Sequence, residues 1–113
     1  MNDDTAPTYT YDGPDELRLP VLGALTQVVD PELALSIVDV GLIYKVRIAD
    51  EQAHVLMTMT SPACPVTDVI LEDVENALDK VIPAKWRIDV ELGWEPPWTP
   101  ERMSARAKRF MKW

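Results

Sequence analysis

Cysteine occurs once in these 113 residues, histidine once and glycine four times. One thiol cannot close a disulfide within the chain, which agrees with a reducing compartment. No apolar run approaches the roughly 20 residues of a membrane span. The first residues are acidic where a secretory signal is basic and then apolar, so a cytoplasmic protein is expected. No glycine-rich phosphate loop occurs. Basic side chains are scarce over residues 1–100, at 6 against 18 acidic ones, and such a body repels nucleic acid.

What is present is ordinary for a single soluble domain: 47% hydrophobic residues, 27% charged and a net charge of −8. A chain of this length buries about two thirds of its unfolded surface around one core. The last 13 residues reverse the charge, with 5 basic and 1 acidic side chains. This tail, with Arg102, Arg106, Lys108, Arg109 and Lys112, has three outlets: solvent, the chain's own acidic surface, or an acidic protein.

The chain is organised around Thr58-Met59-Thr60-Ser61-Pro62-Ala63-Cys64-Pro65-Val66-Thr67-Asp68, where an alternating strand runs into a helix. Pro65 suits a first helical position, which makes Cys64 the expected N-cap. There the backbone N–H groups and the positive end of the helix dipole favour thiolate over thiol, so the residue is set to react or to bind metal. The alternative is a small buried hydrophobe.

Around that junction the pattern predicts a fold. Residues 1–14 read as a flexible lead-in, and 15–113 as one domain ending in a Pro/Trp loop and a C-terminal helix. A first helix runs to Val29, carrying Leu22, Leu25, Val28 and Val29 on one face, and Pro20 favours a start at that residue rather than at Asp15. Asp30-Pro31-Glu32 forms a turn whose two carboxylates serve either as caps or as groups near Cys64; spacing leaves both open. Two antiparallel strands follow. The first, Leu42 to Ile48, points Leu42, Tyr44, Val46 and Ile48 one way; the second, Ala53 to Thr60, points Ala53, Val55, Met57 and Met59 inward. Ala49-Asp50-Glu51-Gln52 joins them. The helix after Cys64 runs to about Ile82, bears Ile70, Val74, Ala77, Leu78 and Val81 on one stripe and crosses back to a third strand, Trp86 to Leu92. Trp94 and Trp98 either pack the last helix, Pro100 to Phe110 with Thr99 as cap, onto the domain or mark a partner surface. The fold class expected is α+β: a two-layer sandwich in αββαβα order, its small mixed sheet of about three strands covered by helices on one face.

Four blocks, Asp30-Pro31-Glu32, Ile37 to Tyr44, Met57 to Pro65 and Trp94 to Pro100, together resemble the SufT and PaaD-like family of iron-sulfur cluster assembly domains over about residues 15–108. The resemblance implies a small α+β domain that acts in maturing iron-sulfur proteins, with its single cysteine, here Cys64, most tied to activity and Asp30, Glu32, Thr60 and Asp39 as its neighbours. Extra C-terminal cysteines, as in the phenylacetate-pathway branch, and a fused P-loop ATPase are both missing. The stand-alone SufT-like branch is left. One departure is Ala34-Leu35-Ser36, where the family commonly has a glycine.

The function expected is therefore a non-enzymatic maturation factor that helps to deliver or insert clusters, with Cys64 binding iron or a cluster transiently. Its partners would be the assembly machinery and apo target proteins, with no nucleic acid and no membrane. With one thiol per chain, a cluster held without a target must sit between chains, so a weak homodimer is expected. The alternatives are a protein-binding adaptor with a structural cysteine and a thiol enzyme. The enzyme lacks an evident base, since His54 lies ten residues back, some 33 Å along an extended strand.

Overall fold

The structure, a computed structural model, describes residues 9–31, 33–60, 66–95 and 97–111. Its order is β1 (Thr10–Asp12), α1 (Asp15–Thr26), β2 (Val29–Asp30), β3 (Leu35–Ser36), α2 (Ile37–Val40), β4 (Ile43–Ala49), β5 (Gln52–Met57), α3 (Thr67–Asp79), β6 (Arg87–Leu92), a 3-10 turn (Pro100–Arg102) and α4 (Ala105–Met111).

The alternating segments 43–49, 52–57 and 87–92 form the sheet as their periodicity dictates. β4 and β5 are antiparallel, and β5 and β6 are parallel, joined across α3. Val46, Ile48, Ala53, Val55 and Met57 are buried between this sheet and the helices, where they meet Val21 and Leu25 of α1 and Ile70, Val74 and Leu78 of α3. The opposite face carries Lys45, Arg47, His54, Asp89 and Glu91. The α+β class and its two layers agree with the expectation from sequence.

Helix α1 ends at Thr26 rather than Val29, which is exposed in β2, and four further details differ. The main sheet has four strands in the order β1-β4-β5-β6, because Thr10–Asp12, expected within the loose lead-in, pairs parallel with Lys45–Arg47. Helix α1 starts at Asp15, not Pro20, and runs through the proline. Its first turn is held from outside: the Tyr11 hydroxyl donates to the Pro14 carbonyl at 2.6 Å, and Arg18 lies 4.8 Å over the Tyr11 ring. These contacts with β1 offset the hydrogen bond that Pro20 cannot make. Third, a register shift between Ile43 and Lys45 turns Ile43 inward and leaves Tyr44 half-buried, against the simple alternation from Leu42. Fourth, the C-terminal helix is split into the 3-10 turn and a shorter α4. Thr99 precedes the turn without a side-chain cap; Ser104 caps α4 instead, its Oγ accepting from Ala107 N–H at 3.1 Å.

The two-residue turn Asp50-Glu51 has positive φ at both positions, 53° and 60°, the backbone twist of a tight hairpin.

Candidate functional site

Parallel strands β5 and β6 end side by side, and the Gly93 N–H donates to the Met57 carbonyl at 2.7 Å. Beyond Met57 the chain is still buried at Thr58 and Met59 and half-buried at Thr60. It enters α3 with Val66 as cap. Cys64 and Pro65, the expected cap and first helical residue, lie outside the described residues, as does Glu32. The helix begins two residues later than expected, at Thr67. The connection carrying Cys64 thus leaves the carboxyl end of a parallel strand and enters the positive end of a 13-residue helix. In open sheets with parallel strands this is the usual place of a ligand crevice.

The four sequence blocks converge on α2. Ile37 N–H donates to the Val28 carbonyl (2.9 Å), just before the Asp30 turn. Leu42 N–H donates to the Ile37 carbonyl (3.0 Å), and Thr58 N–H to the Leu42 carbonyl (2.8 Å). This relay joins the acidic turn, α2 and the strand end that leads to Cys64. The fourth block enters through Trp98, whose Nε1 donates to the Val40 carbonyl at 2.8 Å. Trp98 thus packs onto the domain, as one of the two tryptophan readings has it, while Trp94 is 39% exposed.

Asp30 is buried at the end of β2, and its carbonyl accepts from Ala34 N–H at 2.8 Å. Ala34 takes φ 58°, the left-handed conformation in which glycine costs nothing.

Asp39 is buried and both its oxygens are engaged. Ser104 Oγ donates to Oδ1 at 2.9 Å and Arg106 Nη2 to Oδ2 at 2.7 Å, while Ser104 N–H donates to the Asp39 carbonyl at 2.8 Å. Arg102 donates through Nε to the Gly41 carbonyl (2.8 Å) and through Nη2 to that of Ile43 (3.1 Å), and its guanidinium lies 4.4 Å over the Tyr44 ring. Gly41 permits this approach: its φ is 84°, and a Cβ there would overlap the Arg102 carbonyl. Sequence reasoning singled out Asp39 only by resemblance and missed its partners. The one available signal was the concentration of basic residues after Pro100.

His54 sits on the outer face of the sheet with Nε2 2.9 Å from Glu91 Oε1 and 3.9 Å from Asp89 Oδ2. It is thus engaged across the β5–β6 pair. Among the described residues no group of three or more His, Cys, Asp or Glu side chains is arranged to hold a metal ion. Among the described residues no helix is long and apolar enough to cross a membrane.

A small mixed sheet covered by two helices, with one cysteine in the strand-to-helix connection at its parallel edge, defines a class of compact α+β domains. The model of the family described as "Iron-sulfur cluster assembly protein" matches residues 20–92, and the chain belongs to that family. It is 42% identical over 95 residues to the "Fe-S protein maturation auxiliary factor YitW" of Bacillus subtilis, covering 83% of this chain and 92% of that protein. It is 43% identical over 82 residues to the "Fe-S protein maturation auxiliary factor SufT" of Staphylococcus aureus, covering 72% and 92%. Among solved structures, a domain of unknown function (DUF59) from Bacillus anthracis superposes with a TM-score of 0.80 at 37% identity, covering 87% of this chain and 93% of that one.

Proposed function

We propose that this chain is an iron-sulfur maturation factor that helps deliver or insert clusters, or their iron or sulfur, into apo target proteins, with Cys64 as its transient ligand. The observation that carries this reading is the position of the single cysteine, between the carboxyl end of β5 and the N-terminus of α3, in a chain of the iron-sulfur assembly family. The cluster is cargo. One thiolate per chain holds it too incompletely for a resident cofactor, and the missing ligands come from the target or from a second copy. That suits a carrier rather than an enzyme. Asp30, Glu32 and Thr60 stand near Cys64 in this reading, whereas Asp39 acts at one remove by fixing α2, just after which the Leu42 carbonyl accepts from Thr58 N–H. The partners are the assembly machinery and apo targets, met in the cytoplasm.

The test is anaerobic reconstitution of wild type and Cys64→Ser with iron and sulfide, read by visible absorption and metal counting. Wild type should take up iron and sulfide, and Cys64→Ser should lose most of that uptake. Equal uptake by both, with undiminished maturation of targets, would leave only the adaptor reading.

A further inference from the structure

Three consecutive carbonyls at the entry to β4 are taken by two donors from distant parts of the chain. Leu42, fully buried, donates its N–H to the Ile37 carbonyl at 3.0 Å, and its own carbonyl accepts from Thr58 N–H at 2.8 Å. The carbonyls on either side of it, those of Gly41 and Ile43, both go to Arg102, at 2.8 Å to Nε and 3.1 Å to Nη2. One guanidinium therefore brackets the residue that holds Thr58. Strand β1 covers β4 over Lys45–Arg47, and the fork covers two carbonyls that precede them. A guanidinium suits this place because its N–H groups lie in one rigid plane and carry full charge, so they bind two carbonyls at fixed spacing more strongly than neutral donors do. Its face lies 4.4 Å over the Tyr44 ring, which keeps that plane in place. The Arg102 backbone is anchored as well, with its N–H on the Thr99 carbonyl at 3.0 Å and its carbonyl where a side chain on Gly41 would stand.

Thr58 is fully buried, and from it the chain runs through Met59 and Thr60 toward Cys64. We infer that Arg102 is a positioning residue for Cys64: its fork fixes the Leu42 carbonyl, that carbonyl fixes Thr58, and Thr58 fixes where the segment bearing the thiol sets out toward the N-terminus of α3. The Leu42 peptide cannot turn without pulling a neighbouring carbonyl off the guanidinium. This inference rests on the proposed role of Cys64 and adds to it the group that sets the start of its segment. Ser104 and Arg106 act elsewhere, on the Asp39 side chain.

The test uses the full, metal-free chain, in which Cys64 is the sole thiol, so alkylation reports on it alone. Arg102→Lys keeps the charge but replaces the planar fork by a single nitrogen. In that variant Thr58 amide exchange should quicken about fivefold to tenfold, while that of Val55 in β5 stays slow. Iodoacetamide should modify Cys64 about two- to fivefold more slowly at neutral pH, as the thiol leaves the positive end of α3. Arg102→Ala should behave alike, and added ethylguanidinium should restore both readings where ammonium does not. Val21→Ala, which weakens the apolar core away from this site, should change neither. A purely structural Arg102 would lower the urea midpoint and leave alkylation as in wild type, and that result overturns the inference. So does a Val21→Ala chain slowed equally, a Thr58 amide unmoved in Arg102→Lys, or rescue by ammonium as complete as by ethylguanidinium. Iron uptake by Cys64→Ser decides the reading on which the inference rests and involves none of these measurements, so either can fail without the other.

Discussion

The two sides of this molecule are held together by different forces. Where α1 and α3 cover the sheet, the contact is aliphatic, with Val21, Leu25, Ile70, Val74 and Leu78 against Val46, Val55 and Met57, all of them fully buried. Such burial is non-directional and tolerates small displacements. Where the segment 98–106 covers α2, six hydrogen bonds make the contact, from Trp98, Arg102, Ser104 and Arg106 to Asp39, Val40, Gly41 and Ile43. Directional bonds of this kind fix position rather than supply bulk stability. The polar side is also the one connected by hydrogen bonds to Thr58 and so to the strand end before Cys64. The molecule therefore uses its apolar half for folding and its polar half for placing the candidate site.

Gly41 is the sharpest place to break that arrangement. Gly41→Ala combines the left-handed penalty with an overlap against the Arg102 backbone, which cannot rotate away. A loss of about 2–5 kcal/mol is expected from the two effects together, measured by chemical denaturation. A loss below about 1 kcal/mol would mean that the clasp yields as readily as the apolar half.

Asp39→Ala comes next. It removes a buried acceptor and leaves Ser104 Oγ and Arg106 without it, at a cost of about 2–3 kcal/mol. Arg106→Ala should cost less, about 1 kcal/mol, because that side chain is 58% exposed. Trypsin should cut the region after Arg102 faster in both variants, while amide exchange in α3 stays slow. Equal loosening of α3 would show that the two sides are not separable.

The apolar half was legible because periodicity of two and of 3.6 reports burial directly, and Val46, Val55, Ile70, Val74 and Leu78 all fall where the pattern puts them. The start of α1 was not, since Pro20 argues for a later start and only contacts from Tyr11 and Pro14 override it. The polar half was mostly hidden. Nothing in the sequence links Asp39 to Ser104 and Arg106, some 65 residues away, and no pattern assigns a bulge at Tyr44. Of the candidate site, Asp30, Thr60 and Asp39 have described surroundings, while Cys64 and Glu32 fall outside the described residues.

Ala34 sharpens the comparison from the other direction, since it is strained within the turn that leads into α2. Ala34→Gly relieves a φ of 58° and should raise stability by up to about 1 kcal/mol, the left-handed penalty less the greater freedom that glycine gives the unfolded chain. The midpoint of urea unfolding should rise with an unchanged slope. A fall would mean that the Ala34 methyl makes contacts worth more than the strain.

The smallest effect concerns the apolar half and appears only in alkali. Tyr9 packs against the core, and burial pushes its phenol up to about 12 from 10.0, assisted by nearby Tyr11 and opposed by Arg18. Burial raises Tyr11 as well. A group whose folded pKa exceeds its unfolded one contributes stability fully present below the unfolded value and lost as pH rises through the folded value. Stability should therefore hold up to about pH 10 on account of this group and decline from there toward about 12. Tyr9→Phe should flatten that decline, and the late-titrating phenolate absorbance should vanish with it. Wild type and Tyr9→Phe differ in that one hydroxyl, which lies outside the clasp around Asp39, so proteolysis after Arg102 should not differ between them over the same range; a difference would mean that the edge strand and the clasp report on each other through β4.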